Sequence, residues 1–95
     1  MDIRNAIDAA MRMERDYEEL RQKMYAKASD ELGATVLSIR GHEVHIYEPA
    51  WVASLPGADI TERGDDIYPW TITAKDGDVL FFSIMSDKTK EELEL

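Results

Sequence analysis

The stretch that decides the fold reads WTITAKDGDVLFFSIM and runs from Trp70 to Met85. Two runs rich in β-branched and aromatic residues flank Asp76-Gly77, a dipeptide typical of a two-residue type I′ turn, so the stretch predicts a β-hairpin. This turn would place Ala74 directly opposite Val79. The hairpin therefore provides two strands around which the rest of the chain is organised.

The second strand of this hairpin is apolar on both faces. Phe81 shares a face with Ile72 of the first strand, and this face is expected to line the core. The other face carries three further large apolar residues, Leu80, Phe82 and Ile84. Such a strand is typical of a sheet centre covered on both sides, here by the long helix on one side and by a short helix or a partner on the other.

Residues 2–32 contain neither glycine nor proline and are rich in strong helix formers, which predicts one long helix over residues 1–33. Asp2 suits the N-cap position, and Gly33 suits a left-handed C-cap. At 1.5 Å per residue the helix would be roughly 45 Å long, whereas a domain of this size is ~30 Å across. The helix is therefore expected either to break or to extend beyond the rest of the domain.

One face of this helix is apolar, with residues recurring at spacings of three and four. We call it the apolar stripe, and it consists of Ile3, Ala6, Ala10, Met13, Tyr17, Leu20 and Met24. An extending helix with such a face needs a partner, which predicts a homodimer with its interface at Ile3, Ala6, Ala10 and Met13. The alternative is a helix that kinks or packs along its own sheet.

A second hairpin is predicted directly after the helix. Residues 35–40 and 43–47 alternate between apolar and polar types around Gly41-His42, where glycine in the first position suits a type II′ turn. The residues expected on the core face are Leu37, Ile39, Val44 and Ile46, and those expected on the opposite face are Val36, Ser38, His45 and Tyr47.

Three shorter segments complete the chain. Residues 49–55 begin with proline and predict a short helix whose Trp51, Val52 and Leu55 cap the core. Residues 58–66 are expected to form an acidic loop, with an edge strand around Ile60 as the alternative, and residues 87–95 a charged tail, with a frayed helical turn as the alternative. The 95 residues are thus expected to form a single α+β domain: a long N-terminal helix over 1–33, then a mainly antiparallel sheet of about four strands over 34–86 with one short helix.

The chain is strongly acidic, with a net charge of -9 and a pI near 4.5. Residues 1–33 hold six bases and eight acids, whereas residues 34–95 hold five bases and twelve acids, so the sheet half carries -7. This charge argues against direct binding to nucleic acid or to an anionic membrane and favours a protein partner with a basic surface. Carboxylates spaced along a rigid sheet can also mimic a nucleic-acid backbone.

The composition favours a cytoplasmic protein. The chain has no cysteine, so it has neither a disulfide framework nor a thiolate metal site, and it shows no secretory signal pattern. The longest apolar run, Val79–Phe82, is far shorter than the roughly 20 residues of a membrane span.

Catalytic and metal-binding patterns are weak. His42 and His45 lie three residues apart across a turn and a strand, where their side chains point to different sides, and no third ligand accompanies them. The neighbouring carboxylates of Asp65 and Asp66 lack the apolar surroundings that would raise one pKa for acid–base catalysis. We therefore expect a protein that is not an enzyme and binds no metal or cofactor.

The segment Asp66–Phe82, in which Tyr68-Pro69-Trp70 leads into the hairpin, resembles small phage-encoded accessory proteins. The size, acidity and helix-then-sheet order of the chain are similar to those of uracil-DNA glycosylase inhibitors and, more loosely, of anti-CRISPR proteins. The resemblance covers roughly residues 58–85. The first strand has Ser38 but lacks the neighbouring acid of the glycosylase inhibitors, so only their general role carries over.

This resemblance implies a phage or mobile-element protein that inhibits a host defence enzyme, such as a CRISPR effector, by stoichiometric binding through an acidic surface. Acidic residues beside aromatic ones would form the rim and the anchors of that surface. The predicted partner-binding residues are Asp59, Glu62, Asp65, Asp66, Tyr68 and Trp70. The alternative for Tyr68 and Trp70 is that they close the hydrophobic core.

Two other functions fit the sequence. A sponge that sequesters a nucleotide messenger would need cations at a dimer interface, and Arg12, Arg15 and Arg21 of paired helices would supply them. A non-enzymatic structural or regulatory phage module would need no enzyme target. Retention of a nucleotide after purification would indicate the sponge, and salt-sensitive capture of a basic enzyme would indicate the inhibitor.

Overall fold

The computed structural model describes residues 2–95, and within them it has three helices and five strands. Met1, which the prediction included in the first helix, lies outside the described residues. The charged tail over residues 87–95 contains a short helix. In chain order the elements are α1 (Ile3–Leu32), β1 (Val36–Arg40), β2 (Glu43–Ile46), α2 (Pro49–Ala53), β3 (Asp59–Glu62), β4 (Trp70–Asp76), β5 (Val79–Met85) and α3 (Asp87–Glu92).

The five strands form one sheet in the order β1-β2-β5-β4-β3, so β5 lies at its centre. Neighbouring strands are antiparallel except for β2 and β5, which are parallel. The α+β class, the long first helix and the mainly antiparallel sheet are therefore as predicted. The Trp70–Met85 hairpin provides the central strand.

The prediction of about four strands was wrong, because residues 59–62 form a fifth strand instead of a loop. β3 pairs antiparallel with β4 at the sheet edge, where Ile60 lies opposite Ile72. Ile60 packs against the core. This apolar pair and the backbone ladder outweigh the low strand propensity of Asp59 and Glu62.

The first hairpin contains a β-bulge that changes which side chain faces the core. Val36 pairs with Ile46, whereas Ser38 pairs with His45, so Leu37 is an extra residue in β1. Val36 is buried and Leu37 is exposed. Leu37 was predicted to face the core and Val36 to face the opposite side. Both predictions were wrong, because the extra residue of the bulge reverses the order of inward and outward side chains at this point. The residues that lie on the core face as predicted are Ile39, Val44 and Ile46.

Both hairpin turns place a glycine in the first turn position. Gly41 has a φ of 58°, as the predicted type II′ turn requires. In the second hairpin Asp76 pairs with Val79, so the turn residues are Gly77 and Asp78. The predicted type I′ turn at Asp76-Gly77 was wrong, because it needs positive φ at both turn residues and only Gly77, at 62°, has one.

The pairing in this hairpin differs from the predicted one by two residues but keeps the same faces. Ala74 lies opposite Phe81 and Ile72 lies opposite Ser83. Because side chains alternate with a period of two, a shift of two leaves the same residues on the core face. Ile72, Ala74 and Phe81 are accordingly buried.

All three helices contribute to the core on the same face of the sheet. Val52 of α2 is fully buried, and the Trp51 ring meets the Phe81 ring edge-on with their centroids 5.2 Å apart. The end of α1 and the residue after α3 join this core through Tyr25, Ala28, Leu32 and Leu93. The short helix therefore caps the core as predicted. As a cover for the second apolar face of β5 it was wrongly predicted, because it packs on the same face as α1, and within residues 2–95 that second face stays uncovered.

α1 begins at its predicted N-cap and ends at its predicted C-cap. The Asp2 carboxylate accepts a hydrogen bond from the Arg4 backbone N–H at 3.0 Å, and Gly33 adopts a φ of 71°. The helix is unbroken, none of its 30 residues is buried, and residues 2–24 are all exposed. It extends beyond the sheet, so the molecule is 60 Å along its longest axis. No helix within residues 2–95 is long and apolar enough to cross a membrane.

Candidate functional site

The face of the sheet opposite the core is left partly exposed, and we call it the open face. At its centre Leu80, Phe82 and Ile84 of β5 are each half-buried. One row of residues crosses this face from strand to strand. His45 of β2 pairs with Phe82 of β5, Phe82 pairs with Thr73 of β4, and Thr73 pairs with Asp59 of β3. Within residues 2–95, the helices leave this apolar face available for contact.

A groove of about 620 Å³ lies at the end of the open face where the parallel strands β2 and β5 finish. We call it the open-face groove, and it is lined by Leu37, His45, Tyr47, Pro49, Ile67, Tyr68, Ser83, Ile84, Ser86 and Thr89. Its largest exposed side chains, each at least 44% exposed, are Leu37, Tyr47, Ile67 and Tyr68. Exposed aromatic and aliphatic side chains in a concave surface are typical of a binding site.

The backbone around Tyr47 is fixed although its side chain is exposed. Its N–H donates to the Thr35 carbonyl at 2.9 Å, and its carbonyl accepts from the buried Ser83 hydroxyl at 3.4 Å. The Thr35 N–H in turn donates to both carboxylate oxygens of Glu48, at 2.8 and 2.9 Å, which lowers the pKa of Glu48. The chain thus holds the base of the Tyr47 side chain in place and leaves its ring free to contact a partner.

His45 forms part of the groove wall. Its ring stacks on Phe82 with the centroids 4.6 Å apart and an interplanar angle of 11°. Burial lowers the pKa of His45 below its ordinary value of 6.5, and the positive charge of Arg63 adds to this effect. The ring is therefore predominantly neutral at pH 7, so it adds no full charge to the groove wall there.

We expect the stability of the protein to fall as the pH decreases below 6.5. In this range the unfolded chain takes up a proton on His45 before the folded protein does, so the free energy of unfolding rises with pH between the lowered pKa and 6.5. Thermal unfolding between pH 7.5 and 5.5 measures this slope. His45→Gln should flatten it. A wild-type slope in His45→Gln would contradict this assignment.

The loop between β3 and β4 is built around Asp65. One oxygen of its carboxylate accepts from the backbone N–H groups of Tyr68 and Ile67, at 2.7 and 2.9 Å, which lowers the pKa of Asp65. The Arg63 guanidinium donates to the Tyr68 carbonyl at 2.9 Å. These bonds set the positions from which Ile67 and Tyr68 line the groove, so Asp65 acts as a structural residue of the loop.

The structure separates the six predicted partner-binding residues into two groups. Tyr68 lines the groove, Asp66 is exposed in the loop beside it, and Asp65 orders that loop. Asp59 is exposed on the open face, because it pairs with Thr73 in the His45 row. Tyr68, Asp65 and Asp66 therefore belong to the groove and the loop beside it, whereas Asp59 shares the open face but lies three strands from His45.

The other two residues lie on the core side of the sheet. Trp70 packs against the core, its indole N–H donates to Asp87 at 2.8 Å, and the Lys90 ammonium lies 4.6 Å from its ring centroid. Glu62 is paired with Trp70 and so lies on the same side. Closing the hydrophobic core was the alternative role predicted for both aromatic residues. The structure favours this role for Trp70 but not for Tyr68.

Of the ten groove residues only Tyr68 belonged to the sequence-based site, and the large apolar and aromatic residues that it lacked are Leu37, Tyr47, Ile67 and Ile84. Leu37 was assigned to the core because a bulge without glycine or proline leaves no clear signal in the sequence. Ile67 directly precedes Tyr68 and interrupts an acidic loop, which is a signal that could have been used. Tyr47 was placed on the correct face of β2, but its proximity to the β3–β4 loop arises only from the strand order.

Polar groups elsewhere in residues 2–95 form no cluster suited to metal binding. No group of three or more His, Asp or Glu side chains within this range is placed to hold a metal ion. His42 instead lies 3.6 Å from the Asp78 carboxylate, where both side chains are exposed and connect the two hairpin turns. The groove is therefore the surface best suited to bind another molecule.

Comparison of this chain with protein-family models, curated proteins and solved structures found no match.

Proposed function

We propose that this protein binds another protein through the open-face groove, and that its partner is a host defence enzyme with a basic nucleic-acid-binding surface, such as a CRISPR effector, which it inhibits stoichiometrically. The proposal includes a phage or mobile-element origin, which rests on the resemblance of residues 58–85. The observation that carries it is the groove itself, in which exposed aromatic and aliphatic residues adjoin an acidic loop.

The groove supports the choice of a protein as partner. Tyrosine is enriched at the energetic centres of protein interfaces, and here Tyr47 and Tyr68 are exposed within one concave surface. Ile67 and Leu37 add apolar area that water would otherwise solvate. These side chains would serve as anchors that enter recesses in the partner.

The charge around the groove supports a basic partner. Asp66 adjoins the groove in the loop, Asp59 lies on the open face, and residues 34–95 carry a net charge of -7. Charges at the rim of an interface mainly steer association and select partners of opposite sign. A surface that binds a nucleic-acid backbone is basic, so it is complementary to this half of the protein.

The lining of the groove favours a protein over a nucleotide as the molecule bound there. The ten lining residues include no lysine or arginine, and Arg63 is the basic side chain that bonds to the adjoining loop. A site for a nucleotide messenger would require several cations around its phosphates. The arginines of α1 that could supply them lie on the helix, away from the groove.

Phage plating tests the function directly. Bacteria that carry an active CRISPR system against a phage are expected to regain sensitivity to it when they express this protein. The purified effector should then lose DNA cleavage in a titration that ends at one protomer per enzyme, because the mechanism is binding and not catalysis. If plating stays restricted with every effector type tested and none forms a complex, the proposed function is wrong.

Removing one carboxylate beside the groove and one on the open face should slow association with the inhibited enzyme. Asp59→Asn combined with Asp66→Asn is expected to lower the association rate about tenfold at low salt, and the difference should shrink at 0.5 M salt because ions screen exposed charges. Stopped-flow fluorescence or biolayer interferometry measures this rate.

Asp30→Asn combined with Glu31→Gln on α1 makes the same charge change on the helix that packs on the covered face. If both double variants slow association equally, the slower rate would come from the net charge of the protein and not from the positions of Asp59 and Asp66.

A further inference from the structure

The apolar stripe of α1 is exposed along its whole length. Its large members, Ile3, Met13, Tyr17, Leu20 and Met24, are each 55 to 76% exposed. Ile7 and Met11 widen the apolar surface near the free end of the helix, and both are more than half exposed. Within residues 2–95, the sheet is contacted by the last two turns of α1, through Tyr25, Ala28 and Leu32.

This exposed part of α1 is also long for a helix without tertiary support. Residues 3–24 span about 33 Å at 1.5 Å per residue. Most of the stability of a protein helix comes from packing of its apolar face, and isolated helices in water are marginal. The stripe continues without interruption in steps of three and four, which is the pattern of a helix that packs against another helix.

We propose that the apolar stripe is covered by the same stripe of a second copy of this chain, and that the two helices run antiparallel. In this arrangement residue i lies opposite residue 30 − i of the second copy. The two alanine layers then combine small with large side chains, since Ala6 faces Met24 and Ala10 faces Leu20; Met13 faces Tyr17 near the middle, and Ile3 faces Lys27. Such alternation of small and large side chains fills the space between helices evenly.

A parallel arrangement packs less well. It would place Ala6 against Ala6 and Ala10 against Ala10 at one end, and Tyr17 against Tyr17 near the middle. The helices would have to approach closely at the alanines and separate at the tyrosines, which leaves voids or strain in a packed interface.

The charge distribution favours the antiparallel orientation as well. Each sheet half, residues 34–95, carries -7, and antiparallel helices place the two halves at opposite ends of the dimer. The overlap of about 33 Å exceeds the screening length of about 8 Å at physiological salt. Charges beside the stripe act in the other direction, because a parallel dimer would pair Asp16 with Arg21, whereas the antiparallel one brings Glu14 and Asp16 near their own copies. Exposed charge pairs contribute little, however, and Arg21 already pairs with Glu18 at 3.2 Å.

Sedimentation equilibrium tests the dimer. The full chain is expected to have twice its monomer mass of 10.9 kDa, and Met13→Glu should raise the dimer dissociation constant at least about 100-fold because it buries a charge in the interface. Gln22→Glu makes the same charge change on the opposite side of the helix and should leave the dimer intact. A monomer at micromolar concentrations, or a Met13→Glu variant that stays dimeric, overturns the proposal.

Disulfide trapping tests the orientation, since the chain has no cysteine of its own. In the antiparallel dimer the two copies of residue 10 are about 15 Å apart, too far for a disulfide, whereas residue 10 lies opposite residue 20. An oxidised mixture of Ala10→Cys and Leu20→Cys chains should therefore form the mixed disulfide, and neither variant alone should cross-link. A disulfide from Ala10→Cys alone, or a mixture without the mixed product, overturns the antiparallel arrangement. The groove takes no part in this interface, so the result leaves the proposed function unaffected.

Discussion

Ile72→Ala is expected to lower the free energy of unfolding by about 3 kcal/mol. Ile72 is 1% exposed and lies at the middle of β4, between Ile60 of β3 and Ser83 of β5. Truncating a fully buried isoleucine removes apolar contacts and leaves a cavity, which together cost about 2–5 kcal/mol. For a domain of this size such a loss is a large fraction of the total stability.

Ile67→Ala provides the matched control for this substitution. Ile67 is 71% exposed, so the same truncation should change the free energy of unfolding by less than about 0.5 kcal/mol. Both values come from urea unfolding at one fixed protein concentration, which is needed because self-association would shift the midpoint. Equal losses at the two positions would mean that the core does not lie on the face assigned to it.

Tyr47→Ala is expected to weaken binding to the inhibited enzyme at least about 30-fold, with little change in the fold. Truncation of an interface hot spot costs about 2 kcal/mol or more, and an exposed tyrosine at the centre of a groove is the commonest kind. The two hydrogen bonds that fix Tyr47 involve its backbone, so they persist in the alanine variant. Isothermal titration calorimetry gives the affinity for each protomer.

Tyr17→Ala is the control for this binding experiment. Tyr17 is 64% exposed, close to the 67% of Tyr47, but it lies on α1 and away from the groove. Its loss should leave the affinity of each protomer unchanged, whatever it does to self-association. If the two tyrosine variants bind equally well, the groove is not the contact surface.

Local patterns in the sequence were sufficient to predict α1, both hairpins and α2. The ends of α1 follow from Asp2 and Gly33, because capping chemistry is local. The bulge at Leu37 could not be predicted, since it is a property of the pairing between β1 and β2. The strand formed by residues 59–62 was missed because its stabilisation comes from Ile72, which is distant in the sequence.

The candidate site was harder to predict than the fold, because it depends on the one parallel contact in the sheet. β2 and β5 are far apart in the chain, and their parallel pairing brings Tyr47 and Ile84 to the same end of the sheet. Acidity and aromatic content pointed to the region around Tyr68, which lines the groove. They could not distinguish Tyr68 from Trp70. Pairing with Glu62 and Met85 places Trp70 on the core face, whereas Tyr68 lies in the loop that Asp65 orders.

The acidic edge strand β3 also bears on how the protein stays dispersed. The outer side of an edge strand offers unpaired N–H and C=O groups to any extended chain, and a second sheet can add there to begin a fibre. β3 is only four residues long, and Asp59 and Glu62 at its ends would bring like charges together in such a stack. The carboxylates of Asp59 and Glu62 therefore oppose stacking of β3 against a second sheet. A variant that neutralises them has to be examined for fibre formation before a loss of binding is attributed to the interface.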